Sequence, residues 1–486
     1  MKKHIIKHIL FLSFFLTSFL FSYGEVNKKK SRKKPNVVLI VVDDMGWTDL
    51  TTYGSDFYQT PNIDKLAQDG IKFTDSYAAC TVCSPTRASL MTGKYPARLH
   101  LTDWITGHER LYGKMMIPKW TQYLVPEEHT LAETFKDNGY QTYHVGKWHL
   151  GDEETDWPEY HGFDKNIAGF KAGSPKAHKG GGYFSPYNNP RLKDGPENEY
   201  LTERLTDEVE QIIEENKKTP FFINYWFYNV HAPLQAKQNK IDKYTALVDP
   251  SKRHTNPTYA AMVEHVDEAV GRVLETLKKN GLEENTLVIL TSDNGGLVSN
   301  KITNNSPLRS GKGDMYEGGV RIPLIMKWTN KIKANTISNI PSTSADLYPT
   351  IMELIGLTFS KGKKQQFDGI SLSKHVLGGS KPSPRNIYWH YPHYHRQGAV
   401  PYSAVRSGDW KLIRNYESNT TELYNLKADI GEKNNLINKQ ATIANKLIAD
   451  LDKWLKNVDA QYPTKNEKFD PKKEFKWSIN KNPIER

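Results

Sequence analysis

The chain has 486 residues, 37% hydrophobic, 11% aromatic and 25% charged, which supplies a sizeable core and excludes a disordered chain. Lys and Arg outnumber Asp and Glu by 66 to 55, a formal charge of +11 that favours an anionic partner: nucleic acid, an anionic polysaccharide, or a sulfated or phosphorylated small molecule. That excess is spread along the chain without a recognition motif, so no nucleic-acid role is expected, and two cysteines exclude a disulfide framework for a chain of this size.

In chain order, residues 1–24 read as a signal peptide: basic MKKHIIKH, a short apolar ILFLSFFLTSFLF, then SYG. The apolar run is shorter than the roughly 20 residues a spanning helix needs. Export to the periplasm or medium is expected, with no stable membrane insertion after cleavage. Residues 25–34 form a basic linker. The run VVLIVV that follows Asn36 reads as a strand buried on both faces, of parallel-sheet type, ending in Asp43-Asp44. Thr60-Pro61 starts a helix carrying Ile63, Leu66 and Ala67 and stopping at Gly70.

The stretch CTVCSPTR, residues 80–87, holds both cysteines. In it Ser84 is expected to cap a helix whose first residue is Pro85 and which ends at Gly93. That places Cys83 at a helix N-terminus, where backbone N–H groups favour an anion. A redox pair of thioredoxin type does not suit the chain. A zinc site would need partners, for which only His390, His393 and His395 offer a pattern.

Further strands are expected at 141–145, 221–227, 286–290 and 322–326, with helices between them. The clearest helix runs from Pro257 to about Asn280, with Val263, Val266, Val270 and Leu277 on one face. The alternation implies an α/β sheet with helices on both faces and ligands at the carboxyl ends of the strands. Asp43-Asp44, Lys147 and His149, His231, and Asp293-Asn294 all fall at such ends. Beyond about residue 380, three aromatic-rich strand candidates and a helix near 443–458 suggest a small antiparallel sheet packed on a helix. The expected division is a catalytic domain over 35–375 and a C-terminal α+β part over 376–486.

Asp43, Asp44, Asp293 and Asn294 are hard oxygen donors, suited to calcium or magnesium. Lys147, His149, His231 and Lys312 would add positive charge and protons. The set suits hydrolysis of an anionic ester, a sulfate or phosphate monoester. Cys83 stands where the nucleophile is needed, but a thiolate matches a hard cation poorly. The form of the reactive group stays open on these grounds.

CSPTR, continued by ASLMTGKYPAR, resembles the signature of the formylglycine-dependent (type I) sulfatases of the alkaline phosphatase superfamily, in their polysaccharide-active branch. PNVVLIVVDDMGW, GYQTYHVGKWHLG, LVILTSDNGG and GKGDMYEGGVRIPLI resemble further family segments in the family's order. The resemblance implies an alkaline-phosphatase-like mixed sheet sandwiched by helices, with a smaller C-terminal α+β domain. It implies that a formylglycine-generating enzyme or an anaerobic maturase converts Cys83 to formylglycine, an aldehyde whose hydrate supplies the nucleophilic hydroxyl. It also implies one calcium ion held by Asp43, Asp44, Asp293, Asn294 and the modified Cys83. Arg87 and Lys147 would hold the formylglycine and the sulfate. His149 would assist the hydrate and help expel sulfate, and His231 and Lys312 would contact the sulfate, with His231 protonating the leaving oxygen. Cys80 lies outside the C-x-P-x-R core and reads as a small buried residue.

The expected substrate is a sulfated poly- or oligosaccharide, from an algal polysaccharide such as ulvan or carrageenan. A glycosaminoglycan sulfatase and a phosphate or phosphonate monoester hydrolase are the alternatives. Arg98, His100, Asp103, Trp104 and His108, with His390, His393 and His395, are the candidates for sugar contacts.

Overall fold

The computed structural model describes residues 34–175, 181–479 and 483–484. The signal peptide and, apart from Lys34, the basic linker lie outside the described residues.

Residues 36–42 form a strand in which every side chain is buried. A run of β-branched and aliphatic residues with no polar alternation can only sit inside a sheet covered on both faces. This strand pairs in parallel with Phe221–Trp226 on one side and Thr286–Ser292 on the other. Gln141–Gly146 and then Lys165–Ile167 extend the sheet, also in parallel, beyond Phe221–Trp226. In the other direction come Arg321–Lys327, Ile71–Tyr77 and Thr336–Ser338, with Ser342–Thr343 also on Ile71–Tyr77. Arg321–Lys327 is antiparallel to both its neighbours, so it alone runs against the other eight of the nine strands. Ile71–Tyr77 and the three short strands Lys165–Ile167, Thr336–Ser338 and Ser342–Thr343 have no continuous apolar run, which is why the sequence does not announce them.

Pro257–Lys279 packs against Leu201–Glu215 and Pro61–Gln68. Its start is fixed by Asn256, whose side chain accepts the N–H of Tyr259, and by proline at the first helical position.

The C-terminal sheet has four strands in sequence order, Asn386–Tyr391, Tyr402–Ser407, Trp410–Asn415 and Thr420–Asn425. The sequence suggests three, because YSAVRSGDWKLIRNY is a hairpin that turns at Gly408-Asp409, not one strand. Period-2 alternation buries both faces. Ala404, Ile413 and Tyr424 join Tyr77, Cys80 and Val82. Their neighbours Val405, Leu412 and Leu423 meet Leu447, Leu451, Trp454 and Leu455 of the helix Ala441–Asn457. The C-terminal sheet is thereby clamped beside the Cys80–Arg87 segment. Lys411, fully buried, bridges Glu317 at 2.9 Å and Glu432 at 3.0 Å across the same seam. Among the described residues, no helix is long and apolar enough to cross a membrane.

Candidate active site

Four neighbouring parallel strands deliver the site from their carboxyl ends. Thr286–Ser292 leads into Asp293 and Asn294, Asn36–Val42 into Asp43 and Asp44, and Gln141–Gly146 into Lys147 and His149. Phe221–Trp226 leads, after a short turn, to His231. Gly146 makes the exit of its strand possible: at φ 105°, a Cβ there would stand 1.8 Å from the Trp226 carbonyl oxygen. Asp44 and His149 take left-handed backbone angles, φ 62° and 60°. Non-glycine residues hold such angles at a cost of order 1 kcal/mol, and they cluster where side chains must be aimed.

The carboxylates converge. Ligand oxygens of Asp43, Asp44 and Asp293 all lie within 4.8 Å of one another, and all three side chains are buried. Each has a cation. Lys147 Nζ is 2.7 Å from Asp43 Oδ2, and Lys312 Nζ is 2.7 Å from Asp44 Oδ1. Arg87 donates from Nε and Nη2 to Asp293 Oδ2 at 2.9 and 2.7 Å, and from Nη1 to the Lys147 carbonyl at 3.1 Å. Its guanidinium lies 5.0 Å from the Trp226 ring centre. Burial opposes the Asp44 carboxylate, but Lys312 and His231 outweigh it and hold its pKa below the usual range. At Asp43, burial wins over Lys147 and raises the pKa.

Three carboxylates against three permanent cations leave the cluster neutral. Asp43 Oδ1 and Asn294 Oδ1 are nevertheless buried with no hydrogen-bond partner. Buried acceptors left unpaired are costly. Hard, convergent oxygens with two spare acceptors fit a calcium- or magnesium-type ion. Adding a divalent cation would leave the cluster positive, as an anionic ester requires.

Cys83 opens the helix Cys83–Thr92, whose preceding residue is Val82. Ser84 therefore does not cap the helix. It lies within the first turn, and its hydroxyl accepts the Ile105 N–H at 3.2 Å. His149 Nδ1 stands 3.4 Å from Cys83 Sγ, while His149 Nε2 donates to the Ile105 carbonyl at 2.5 Å. That bond fixes the tautomer and turns the Nδ1 lone pair towards Cys83. Burial, then Lys147, holds His149 well below the ordinary histidine pKa. His231 donates from Nδ1 to the Ala232 carbonyl at 2.7 Å, which leaves Nε2 3.8 Å from Asp44 Oδ2. Burial and Lys312 lower it to about 3.

A cleft of about 470 Å³ opens above, with Cys83, His149, His231 and Lys312 at its lining; the carboxylates, Arg87 and Lys147 lie behind them, buried. Of the sugar-contact candidates, Trp104, His108 and His395 line this cleft. The others do not reach it, because protein partners hold them. Arg98 forms a bidentate pair with Asp368, and His100 meets the Asp459 carbonyl at 2.9 Å. Asp103 Oδ1 accepts the Tyr391 hydroxyl at 2.9 Å, and His393 Nε2 is 2.7 Å from the Thr102 hydroxyl. His390 lies between Ser403 Oγ and the Gln461 carbonyl, both at 2.7 Å. The zinc alternative is not assembled: both cysteines are free, and the aspartate cluster is the only three-ligand group among the described residues. Cys80 is buried and its N–H donates to Thr86 Oγ1 at 3.1 Å.

The sequence reading missed Asp152, Lys171, Arg396 and Gln397, which also line the cleft. They sit on irregular segments with no motif to mark them.

The Sulfatase family model matches residues 35–357, more than half of the chain. The chain belongs to the sulfatase family. It is a sulfuric ester hydrolase by that membership. A second model, N-sulphoglucosamine sulphohydrolase, C-terminal, matches residues 311–461 of this sulfatase. A sulfatase from Formosa agariphila is 34% identical over 523 aligned positions, covering 90% of this chain and 94% of the relative. Human N-acetylgalactosamine-6-sulfatase is 32% identical over 381 positions, covering 71% and 66%. Among solved structures, Ps i-CgsB in complex with k-i-k-neocarrahexaose has a TM-score of 0.74 at 31% identity, covering 90% of this chain and 95% of that one. The PsFucS1 sulfatase from Pseudoalteromonas sp. has a TM-score of 0.68 at 25% identity, covering 89% and 92%.

Proposed function

We propose that this sulfatase is exported and removes sulfate from a sulfated carbohydrate, an algal poly- or oligosaccharide of the carrageenan or ulvan kind, using formylglycine made from Cys83. The observation that carries the reading is Cys83 at the foot of an open cleft, against His149 and next to the aspartate cluster. The likeness to a structure holding neocarrahexaose supports the sugar class. Relatives named N-acetylgalactosamine-6-sulfatase favour a glycosaminoglycan as the second reading.

In this reading Asp43, Asp44, Asp293 and Asn294 hold a calcium ion, which supplies charge stabilisation for the sulfate oxygens. The aldehyde hydrate at position 83, made by a maturation enzyme, supplies the attacking hydroxyl. His149 Nδ1, with its lone pair already aimed at position 83, would take the proton of the hydrate's remaining hydroxyl as sulfate leaves, which restores the aldehyde for the next water. Arg87 holds Asp293 and the Lys147 carbonyl rigidly, so neither reorganises during reaction. Lys312 faces both Asp44 and the cleft and balances sulfate charge. His231 presents Nε2 to the cleft, and a bound anionic ester favours its protonated form, which then serves the leaving oxygen.

The test is turnover of defined sulfated oligosaccharides with product analysis, alongside the peptide mass at position 83 in protein from its native host. Loss of turnover in Cys83→Ala with binding retained supports the reading, and full activity in that variant refutes the nucleophile. Faster hydrolysis of an aryl phosphate than of an aryl sulfate would sink the sulfatase substrate class.

A further inference from the structure

The cleft carries more positive charge than one sulfate ester needs. Lys312 and the buried cations behind it are matched by the three aspartates. Lys171 and Arg396 are not: both are exposed, both line the cleft, and neither forms an ion pair among the described residues. Asp152 is the sole carboxylate among the cleft-lining residues, and it too makes no ion pair there. The two cations stand on different walls. Lys171 follows Phe170, whose carbonyl accepts the His149 N–H at 3.2 Å, so it belongs to the His149 wall. Arg396 follows His395 in the connection between Asn386–Tyr391 and Tyr402–Ser407, so it belongs to the wall built by the C-terminal sheet. Burial holds His108 and His395 neutral at pH 7, which leaves Lys171 and Arg396, against the one carboxylate Asp152, as the permanent cations facing whatever extends beyond the scissile sulfate.

We infer that the cleft selects a substrate bearing a second anionic group, a further sulfate or a uronate carboxylate, on the same or the neighbouring sugar, bound between Lys171 and Arg396. This rests on the sulfatase reading above. The geometry asks for an anion displaced from the reacting sulfate towards the cleft mouth, where a guanidinium and an ammonium can donate charge-assisted hydrogen bonds. Two exposed, unpaired cations against the single carboxylate Asp152 leave the cleft lining with an excess of positive charge, for which a neutral glycan offers no complement.

The experiment compares kcat/KM for matched oligosaccharides: singly sulfated, doubly sulfated, and singly sulfated with a uronate. It is run in wild type, Lys171→Gln, Arg396→Gln and the double variant. A preference for one dianionic substrate over the monosulfate is expected, reduced roughly tenfold by each substitution. Lys171→Arg and Arg396→Lys should keep most of it. Which dianionic substrate is preferred identifies the source of the second charge. Because the readout is a ratio within one protein, partial misfolding cancels. Equal kcat/KM for all three substrates in wild type, or a preference untouched in the double variant, overturns the inference. No turnover of any sulfated substrate would instead refute the sulfatase reading on which it rests.

Discussion

Arg87 offers a sharp test of how the site is held together. Replacing it by lysine keeps the charge and removes the planar fork. In wild type, Nε and Nη2 share Asp293 Oδ2, and Nη1 satisfies the Lys147 carbonyl. An ammonium can keep one contact to Asp293 but cannot also reach that carbonyl or lie against Trp226 in the same way. A charge-assisted hydrogen bond is worth about 1.5–3 kcal/mol, and an abandoned buried carbonyl costs about 1–3 kcal/mol. Allowing for relaxation, Arg87→Lys should destabilise the fold by about 3–5 kcal/mol. For a unit of about 450 residues the unfolding entropy is about 0.95 kcal/mol/K, so the melting temperature should fall by about 3–5 °C. Calorimetry in calcium-containing buffer measures this directly. Since Asp293 and Lys147 also lose their anchor, kcat/KM on an aryl sulfate should fall by about 100-fold or more. A melting temperature within about 1 °C of wild type together with unchanged turnover would show that the fork is not what fixes these groups.

Gly173→Ala should cut turnover by about 10- to 100-fold with little loss of stability, because a Cβ there would stand 2.4 Å from His149 Cε1 and push the ring off Cys83; unchanged kcat would mean that His149 orientation does not matter. Chelation should abolish activity and lower the melting temperature, with calcium restoring both. If the ion is present at about 100 times its dissociation constant, its removal should cost about 2.7 kcal/mol, and a chelated enzyme with full activity would refute the metal assignment. Burial raises the Asp267 carboxyl to about 6, against the N–H groups of Ile63 and Asn62. The fold thus keeps a proton that the unfolded chain releases near pH 4, so stability present below pH 4 is lost as pH rises through 6, by roughly 3 kcal/mol. Chemical denaturation at pH 4 and 7 reads this loss, and Asp267→Asn should flatten it; an equal slope in both proteins would assign the pH dependence elsewhere.

The local sequence determined the parallel core strands, the long helix at Pro257 and the identity of the chemical groups. Each of these depends on short-range pattern. An unbroken β-branched run reads as a covered strand, Thr-Pro as a helix start, and Asp, Asn, Lys and His just past strand ends as ligands and proton carriers. Cys83 at the start of a helix was legible for the same reason, whereas Arg87 was marked only by the resemblance of CSPTR to the sulfatase signature. Tertiary structure decided what depends on neighbours far along the chain. It put Arg98, His100, Asp103, His390 and His393 into the packing beside the C-terminal sheet, where nearby carboxylates, carbonyls and hydroxyls hold them. The same aromatic- and histidine-rich segment sends His395 and Arg396 into the cleft. Polar residues of one type differ only in what the fold places opposite them. Lys171 and Arg396 gain their meaning from partners the fold withholds, and no spacing along the chain records that.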